Sequence, residues 1–108
     1  MNDNRIQLLL HYIEEQPDDP FNVYALAMEY RDEQPAQALL YLNQLLTEHP
    51  TYLATYYHAA ALYAEQENRQ AAEETYQRGI ELAKAQKNEK AFQELSRAYR
   101  AFQDDDDY

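Results

Sequence analysis

Few side chains in this sequence have the types and spacing that catalysis or metal binding requires. Its three histidines, His11, His49 and His58, are far apart, and only His11 has a possible metal-binding partner one helical turn away, Glu15. Pairs of this kind are common by chance. The sequence has no cysteine, no glycine-rich phosphate loop and no arrangement that indicates an activated serine. We therefore predict a protein that is not an enzyme and that binds no metal or cofactor.

The distribution of charge is the second chemical feature of the sequence. The chain has 20 acidic and 9 basic residues, for a formal net charge of −11. Such a charge opposes binding to nucleic acid and to anionic membranes, so we expect neither as a partner. Five of the nine bases lie between Lys84 and Arg100. Arginine can bind a carboxylate by two parallel hydrogen bonds, so this stretch indicates a site for an acidic group.

The N-terminal region carries no recognisable targeting signal. Its apolar run, residues 8–10, is short and is soon followed by Glu14 and Glu15. No stretch approaches the roughly 20 apolar residues that a membrane helix needs. The sequence therefore predicts a cytoplasmic protein.

The elements that would position these residues are helices, because apolar residues recur at intervals of three and four. Asp19 before Pro20 predicts a helix N-terminus, Gln34 before Pro35 a weaker one, and Thr51 and Asn68 can cap two more. We predict six helices, at about residues 4–16, 20–33, 35–48, 52–66, 69–86 and 89–102. Short connections make neighbouring helices antiparallel.

Three of these helices repeat one order of large and small side chains. The matching sets are Val23, Leu26, Ala27 and Tyr30; Tyr56, Ala59, Ala60 and Tyr63, 33 residues later; and Phe92, Leu95, Ser96 and Tyr99, 36 residues further on. Between them, Ala38 and Leu42 are matched 34 residues later by Ala72 and Tyr76. A repeat of this period indicates stacked helix pairs. Small residues would let helices cross closely, and the tyrosines would fill the core beside each crossing.

These positions resemble the tetratricopeptide repeat signature of large and small residues followed by Ala-x-x-x-aromatic and Pro. Pro50 completes the first unit, whereas Gly79 and Lys84 depart from the usual Ala and Pro of the second. We expect Gly79 to be a point of close packing. The resemblance implies an all-α fold of antiparallel helix pairs, stacked as a short right-handed α-solenoid.

The predicted organisation is a single domain over residues 1–103. It comprises repeat 1 at about 20–50, repeat 2 at about 52–85 and a C-terminal capping helix at about 89–102, while helix 4–16 resembles the second helix of a preceding unit. Residues 104–108 form a run of acids, which predicts a disordered, solubilising tail.

The resemblance also implies where a ligand would bind, because in this family the first helix of each pair lines a concave groove. Helical spacing predicts which side chains face it. The candidates on the first two such helices are Phe21, Tyr24, Met28, Arg31, Ala54, Tyr57, Ala61 and Ala64. Those on the last helix are Lys90, Gln93, Arg97 and Arg100. Only Lys90 fits the pattern with which some family members grip chaperone C-termini, so we do not expect that clamp.

Two functions are compatible with this surface. The first is an adaptor that binds a partner protein's peptide, with apolar contacts at one end and an acidic group held by Arg97 and Arg100. The alternative is a structural module that forms homo-oligomers through the same surface, or through the Leu8, Leu9 and Ile13 face of the first helix. Lys90 could instead simply pair with Glu94 on a solvated helix.

Overall fold

A computed structural model describes residues 2–105, and every regular element in that range is an α-helix. The helices are α1 (Asp3–Glu15), α2 (Pro20–Tyr30), α3 (Pro35–Glu48), α4 (Ala54–Glu65), α5 (Arg69–Ala85) and α6 (Glu89–Asp104). All six predicted helices are confirmed, with their ends shifted by no more than three residues. They form two compact units, Met1–Thr55 and Tyr56–Tyr108, and the division falls in the first turn of α4.

Side-chain caps fix several of the helix starts. The predicted caps Asp19 and Asn68 are confirmed, since their side chains accept hydrogen bonds from the backbone of Phe21 and Ala71. The prediction for Thr51 is wrong, because α4 begins at Ala54. A turn intervenes, in which the Tyr52 N–H donates to the His49 carbonyl at 3.0 Å. Asn2 and Asn88, which were not predicted as caps, accept backbone hydrogen bonds at the starts of α1 and α6.

Two identical turns join the helices of the second unit. Glu67 and Lys87 have φ values of 61° and 57°, the left-handed region that glycine usually occupies at a helix end. The next residue in each turn, Asn68 or Asn88, donates its N–H to a carbonyl five residues back and then caps the following helix. This Schellman arrangement reverses the chain within three residues, because one asparagine ends one helix and begins the next.

The core of the first unit lies between α1, α2 and α3. Ile6 and Leu9 of α1 pack with Ala25 and Leu26 of α2, and Ile13 lies against the same cluster. The predicted oligomerisation face on α1 is therefore largely used inside the unit. Leu9 is only 5% exposed, whereas Leu8, about 100° around the helix from it, is 47% exposed.

The core of the second unit depends on close contact at Gly79. A Cβ atom at this position would lie 2.7 Å from the Cβ of Tyr56 and 3.3 Å from Leu95 Cδ1. The expectation that Gly79 is a point of close packing is confirmed. Tyr76 is buried and its ring lies 5.7 Å from that of Tyr99.

The predicted small-residue positions are buried, with one exception. Ala27, Ala59 and Ala60 are fully buried, whereas Ser96 is half-buried. Of the predicted core tyrosines, Tyr56 and Tyr76 are buried and the other three, Tyr30, Tyr63 and Tyr99, are half-buried.

The C-terminal boundary differs from the prediction. Helix α6 extends through Asp104, and the Asp105 N–H donates to the Ala101 carbonyl at 3.1 Å. The disordered tail predicted to begin at residue 104 is therefore wrong for Asp104, because the hydrogen-bonded backbone continues past the packed Phe102. Residues 106–108 of that tail lie outside the described residues.

Candidate functional site

The first group of candidate residues lies along one stripe of α2. Phe21, Tyr24 and Met28 are spaced by three or four residues, which places them on the same side of the helix. Arg31, the C-terminal capping residue of α2, keeps helical backbone angles and continues the stripe. Phe21 is 57% exposed, and the other three side chains are half-buried. The Tyr24 ring packs edge-on against Tyr52, with 5.8 Å between ring centroids. This stripe therefore presents the exposed Phe21 ring next to Tyr24, whose ring is held in place by Tyr52.

Burial affects the two packed phenols of this stripe. It raises the pKa of Tyr24, and it raises the pKa of Tyr52, with smaller contributions from Tyr24 and Asp19. Both phenols remain neutral at physiological pH. The aromatic surface is therefore uncharged and suited to apolar contact.

The second group lies on α4 and is dominated by Tyr57. This side chain is 41% exposed, whereas its neighbour Tyr56 is only 3% exposed. The Tyr57 ring meets the His58 ring edge-on at 5.3 Å. Ala61, one turn further on, is half-buried. Because its side chain is a single methyl group, the surface beside Tyr57 is apolar and leaves space next to the ring. Ala64 is half-buried as well, and Ala54 is exposed.

The third group is the basic stripe of α6, formed by Lys90, Arg97 and Arg100. All three side chains are exposed, and none forms an ion pair within residues 2–105. The alternative in which Lys90 pairs with Glu94 is therefore not seen among the described residues. The stripe spans ten residues, or about 15 Å along the helix axis. Gln93, on the same stripe, donates to Glu89 Oε1 at 2.9 Å.

The opposite face of α6 is fixed to α5 by aromatic and polar contacts. The Tyr99 hydroxyl donates to Glu73 Oε1 at 3.0 Å and accepts from Gln77 Nε2 at 2.9 Å. Burial, followed by the hydrogen bond to Glu73, raises the pKa of Tyr99. Arg69 donates to the Phe102 carbonyl at 2.9 Å, and its guanidinium carbon lies 4.1 Å from the centre of the Phe102 ring.

These contacts give α6 a defined orientation, with its bases directed away from α5. The sequence pattern does not reveal the roles of Arg69, Glu73 and Gln77, because each meets a residue more than 20 positions away. The only sequence signal was the run of aromatic residues on α6 itself.

The two side chains of the possible metal-binding pair found in the sequence contact each other directly. His11 Nε2 lies 2.8 Å from Glu15 Oε1, and both side chains are more than half exposed. Within residues 2–105, no group of three potential metal ligands comes together. In that same range, no helix is both long enough and apolar enough to cross a membrane.

Two solved structures resemble this chain closely. Both are of a tetratricopeptide repeat domain protein from Salinibacter ruber. Its crystal structure has a TM-score of 0.75 and 35% sequence identity, covering 79% of this chain and 96% of that one. Its solution NMR structure has a TM-score of 0.74 and the same identity, covering 81% of this chain and 89% of that one.

This chain is a member of the tetratricopeptide repeat family. The predicted all-α fold of antiparallel helix pairs is confirmed. No protein-family model matches the chain, and no curated protein matches it either. Tetratricopeptide repeat domains are in general non-catalytic modules that bind other proteins. This chain is a protein-interaction module in that general sense.

Proposed function

We propose that this tetratricopeptide repeat protein is an adaptor that binds a peptide segment of a partner protein. The contact residues lie on the first helices of its helix pairs, α2 and α4, and on α6. The main supporting observation is that Phe21 and Tyr57 are 57% and 41% exposed on helices whose other faces are buried. Exposed aromatic rings on rigid helices provide contact area at little conformational cost.

The apolar contacts set the scale of the binding energy. Full burial of a large apolar side chain contributes about 1.5–3 kcal/mol. Phe21 and Tyr57 are 57% and 41% exposed, so together they can still bury about as much area as one such side chain, which by itself gives binding weaker than millimolar. Tyr24 and Met28 are half-buried and add area next to Phe21. Tighter binding therefore needs a polar or charged contribution.

The basic stripe of α6 can supply that contribution. Its three bases have no acidic partner within residues 2–105, although the chain as a whole is strongly acidic. Arg97 and Arg100 are three residues apart, so their guanidinium groups lie close enough to hold neighbouring carboxylates. The proposed ligand is therefore a peptide with apolar residues and an acidic or carboxylate end.

Substitution Tyr57→Ala tests the apolar contact. A peptide array that combines apolar residues with C-terminal Asp and Glu supplies the ligand, and fluorescence anisotropy measures its affinity. We expect at least tenfold weaker binding, whereas the free energy of unfolding changes by less than about 1 kcal/mol, since the side chain is exposed. Tyr12→Ala is the matched control, because Tyr12 is 42% exposed and lies on α1. Equal losses for both variants would argue against a specific contact at Tyr57.

Substitution Arg97→Glu tests the acidic end of the ligand. We expect the same peptide to bind at least tenfold more weakly, and the difference from wild type to shrink as salt rises, because exposed charges are screened. Arg97→Gln, which removes the charge without inverting it, should give an intermediate loss. Unchanged affinity in both variants at low salt would remove the basic stripe from the site.

A further inference from the structure

A cavity of about 340 Å³ lies where α5 ends and α6 begins. It is lined by two residues at the end of α5, two in the turn and two in the first turn of α6, namely Ala83, Lys84, Lys87, Asn88, Glu89 and Phe92. All six belong to the second compact unit. Binding sites for small molecules have volumes of about 300–1,000 Å³, so this cavity can hold a small ligand.

The turn beside the cavity is held by backbone hydrogen bonds. The Asn88 N–H donates to the Ala83 carbonyl at 2.9 Å, and the Lys87 N–H donates to the Lys84 carbonyl at 3.0 Å. The Asn88 side chain is fixed as well, because its Oδ1 accepts from the Ala91 N–H at 3.0 Å. Its Nδ2 group forms no hydrogen bond within residues 2–105, so it can still donate to a ligand.

Two lysines give the cavity its positive groups. Lys87 forms no ion pair in the described part of the chain. Lys84 Nζ lies 3.6 Å from Glu81 Oε1, but both side chains are more than half exposed, and exposed pairs of this kind contribute little to stability. Both ammonium groups can therefore turn towards an anion in the cavity. Such a ligand would meet three donor groups, because the Asn88 amide lies in the same lining.

Glu89 determines how much negative charge the cavity can accept. Its carboxylate is the one acidic group of the lining, and its Oε1 accepts a hydrogen bond from the neutral Gln93 side chain at 2.9 Å. Two lysines and one glutamate give the lining a net charge of +1. A carboxylate balances this charge, whereas a phosphate group, with about −1.5 to −2 at pH 7, would also be repelled by Glu89.

Phe92 forms the apolar wall of the cavity. Its side chain is half-buried, so part of the ring is accessible. Lys84 Nζ lies 5.7 Å from the ring centre, close to the outer limit of about 6 Å for a cation–π contact. This contact keeps the ammonium group near the ring, so a carboxylate bound to Lys84 would bring the group that it carries against Phe92. An aromatic group suits this wall, because aromatic rings attract one another in offset or edge-on arrangements.

We propose that this cavity binds a small aromatic carboxylate. Lys84 and Lys87 hold its carboxylate, the Asn88 amide donates a hydrogen bond to the same group, and the ring of the ligand packs on Phe92. None of these residues belongs to the proposed peptide contacts or to the basic stripe of α6. The proposal therefore goes beyond the adaptor function, and either one can fail without the other.

Titration of the isotope-labelled protein with phenylacetate, followed by two-dimensional NMR, tests the site. We expect saturable shifts centred on the backbone amides of Lys84, Lys87 and Phe92 and on the Asn88 side-chain amide. Phenylacetamide, the neutral isostere, and acetate, which lacks the ring, should each bind at least fivefold more weakly. Phenylacetamide that binds as tightly as phenylacetate, shifts centred on the basic stripe of α6, or no saturable shift at all would each overturn the proposal.

Substitution Lys87→Gln tests the charge in the cavity. It keeps a long side chain at the left-handed position, whose φ is 57°, and it should weaken phenylacetate binding at least fivefold. Arg78→Gln is the matched control, because it removes one positive charge from an exposed position on α5 outside the cavity, and it should change the affinity less than twofold. The NMR spectrum of each variant shows whether it is folded. Equal losses for the two variants would indicate attraction by overall charge alone and would contradict a specific site.

Discussion

Replacing Gly79 with alanine is expected to destabilise the protein by about 1–3 kcal/mol, although alanine is the better helix former by about 1 kcal/mol. The added Cβ would lie 2.7 Å from the Cβ of Tyr56. The Tyr56 Cβ is attached directly to the backbone of α4, so the contact cannot be relieved by rotating a side chain. The two helices must move apart, and this movement disturbs the packing of the buried Tyr76 and Leu95. Urea unfolding measures the difference.

Glu81→Ala provides the matched control for Gly79→Ala. It introduces the same residue into the same helix, two positions later, where the side chain is exposed and its nearest base, Lys84, lies 3.6 Å away. Its effect should stay within about 0.5 kcal/mol. If Gly79→Ala instead stabilises the protein by its helix propensity, α4 and α5 are not in close contact at this point.

The second large effect is expected for Arg69→Ala, at about 2 kcal/mol of lost stability. Arg69 donates to the Phe102 carbonyl at 2.9 Å. This carbonyl lies in the last turn of α6, where carbonyls have few partners within the helix. The guanidinium also lies 4.1 Å above the Phe102 ring. The substitution therefore removes a charge-assisted hydrogen bond and a cation–π contact together.

Two controls separate these contributions. Arg78→Ala removes an exposed arginine whose guanidinium carbon is 5.5 Å from a ring centre, and it should cost less than about 1 kcal/mol. A double-mutant cycle of Arg69→Ala with Phe102→Leu isolates the ring contact, because the backbone carbonyl persists in both backgrounds. Equal effects of Arg69→Ala and Arg78→Ala in thermal unfolding would show that Arg69 does not hold the end of α6.

The local order of residues determined the helices and the repeat. Caps such as Asp19 and Asn68 act on backbone groups two or three residues away, so a short stretch of sequence is enough to identify them. The spacing of large and small residues gave the family resemblance, and this signal is local as well. A helix turns by a fixed angle per residue, so the spacing alone shows which side chains share one face. The turns at Glu67 and Lys87 were missed because neither contains the glycine that normally marks a left-handed helix end.

Tertiary structure decided which helical faces are covered and by what. Periodicity placed Leu8, Leu9 and Ile13 near one another, but only the packing on α2 showed that Leu9 is buried while Leu8 is exposed. Likewise, the partners of Tyr99 and Phe102 come from α5, 22 to 33 residues earlier in the chain. A sequence pattern specifies the direction of a side chain relative to its own helix. The neighbour that it meets depends on how separate helices pack, and that arrangement has no local signal.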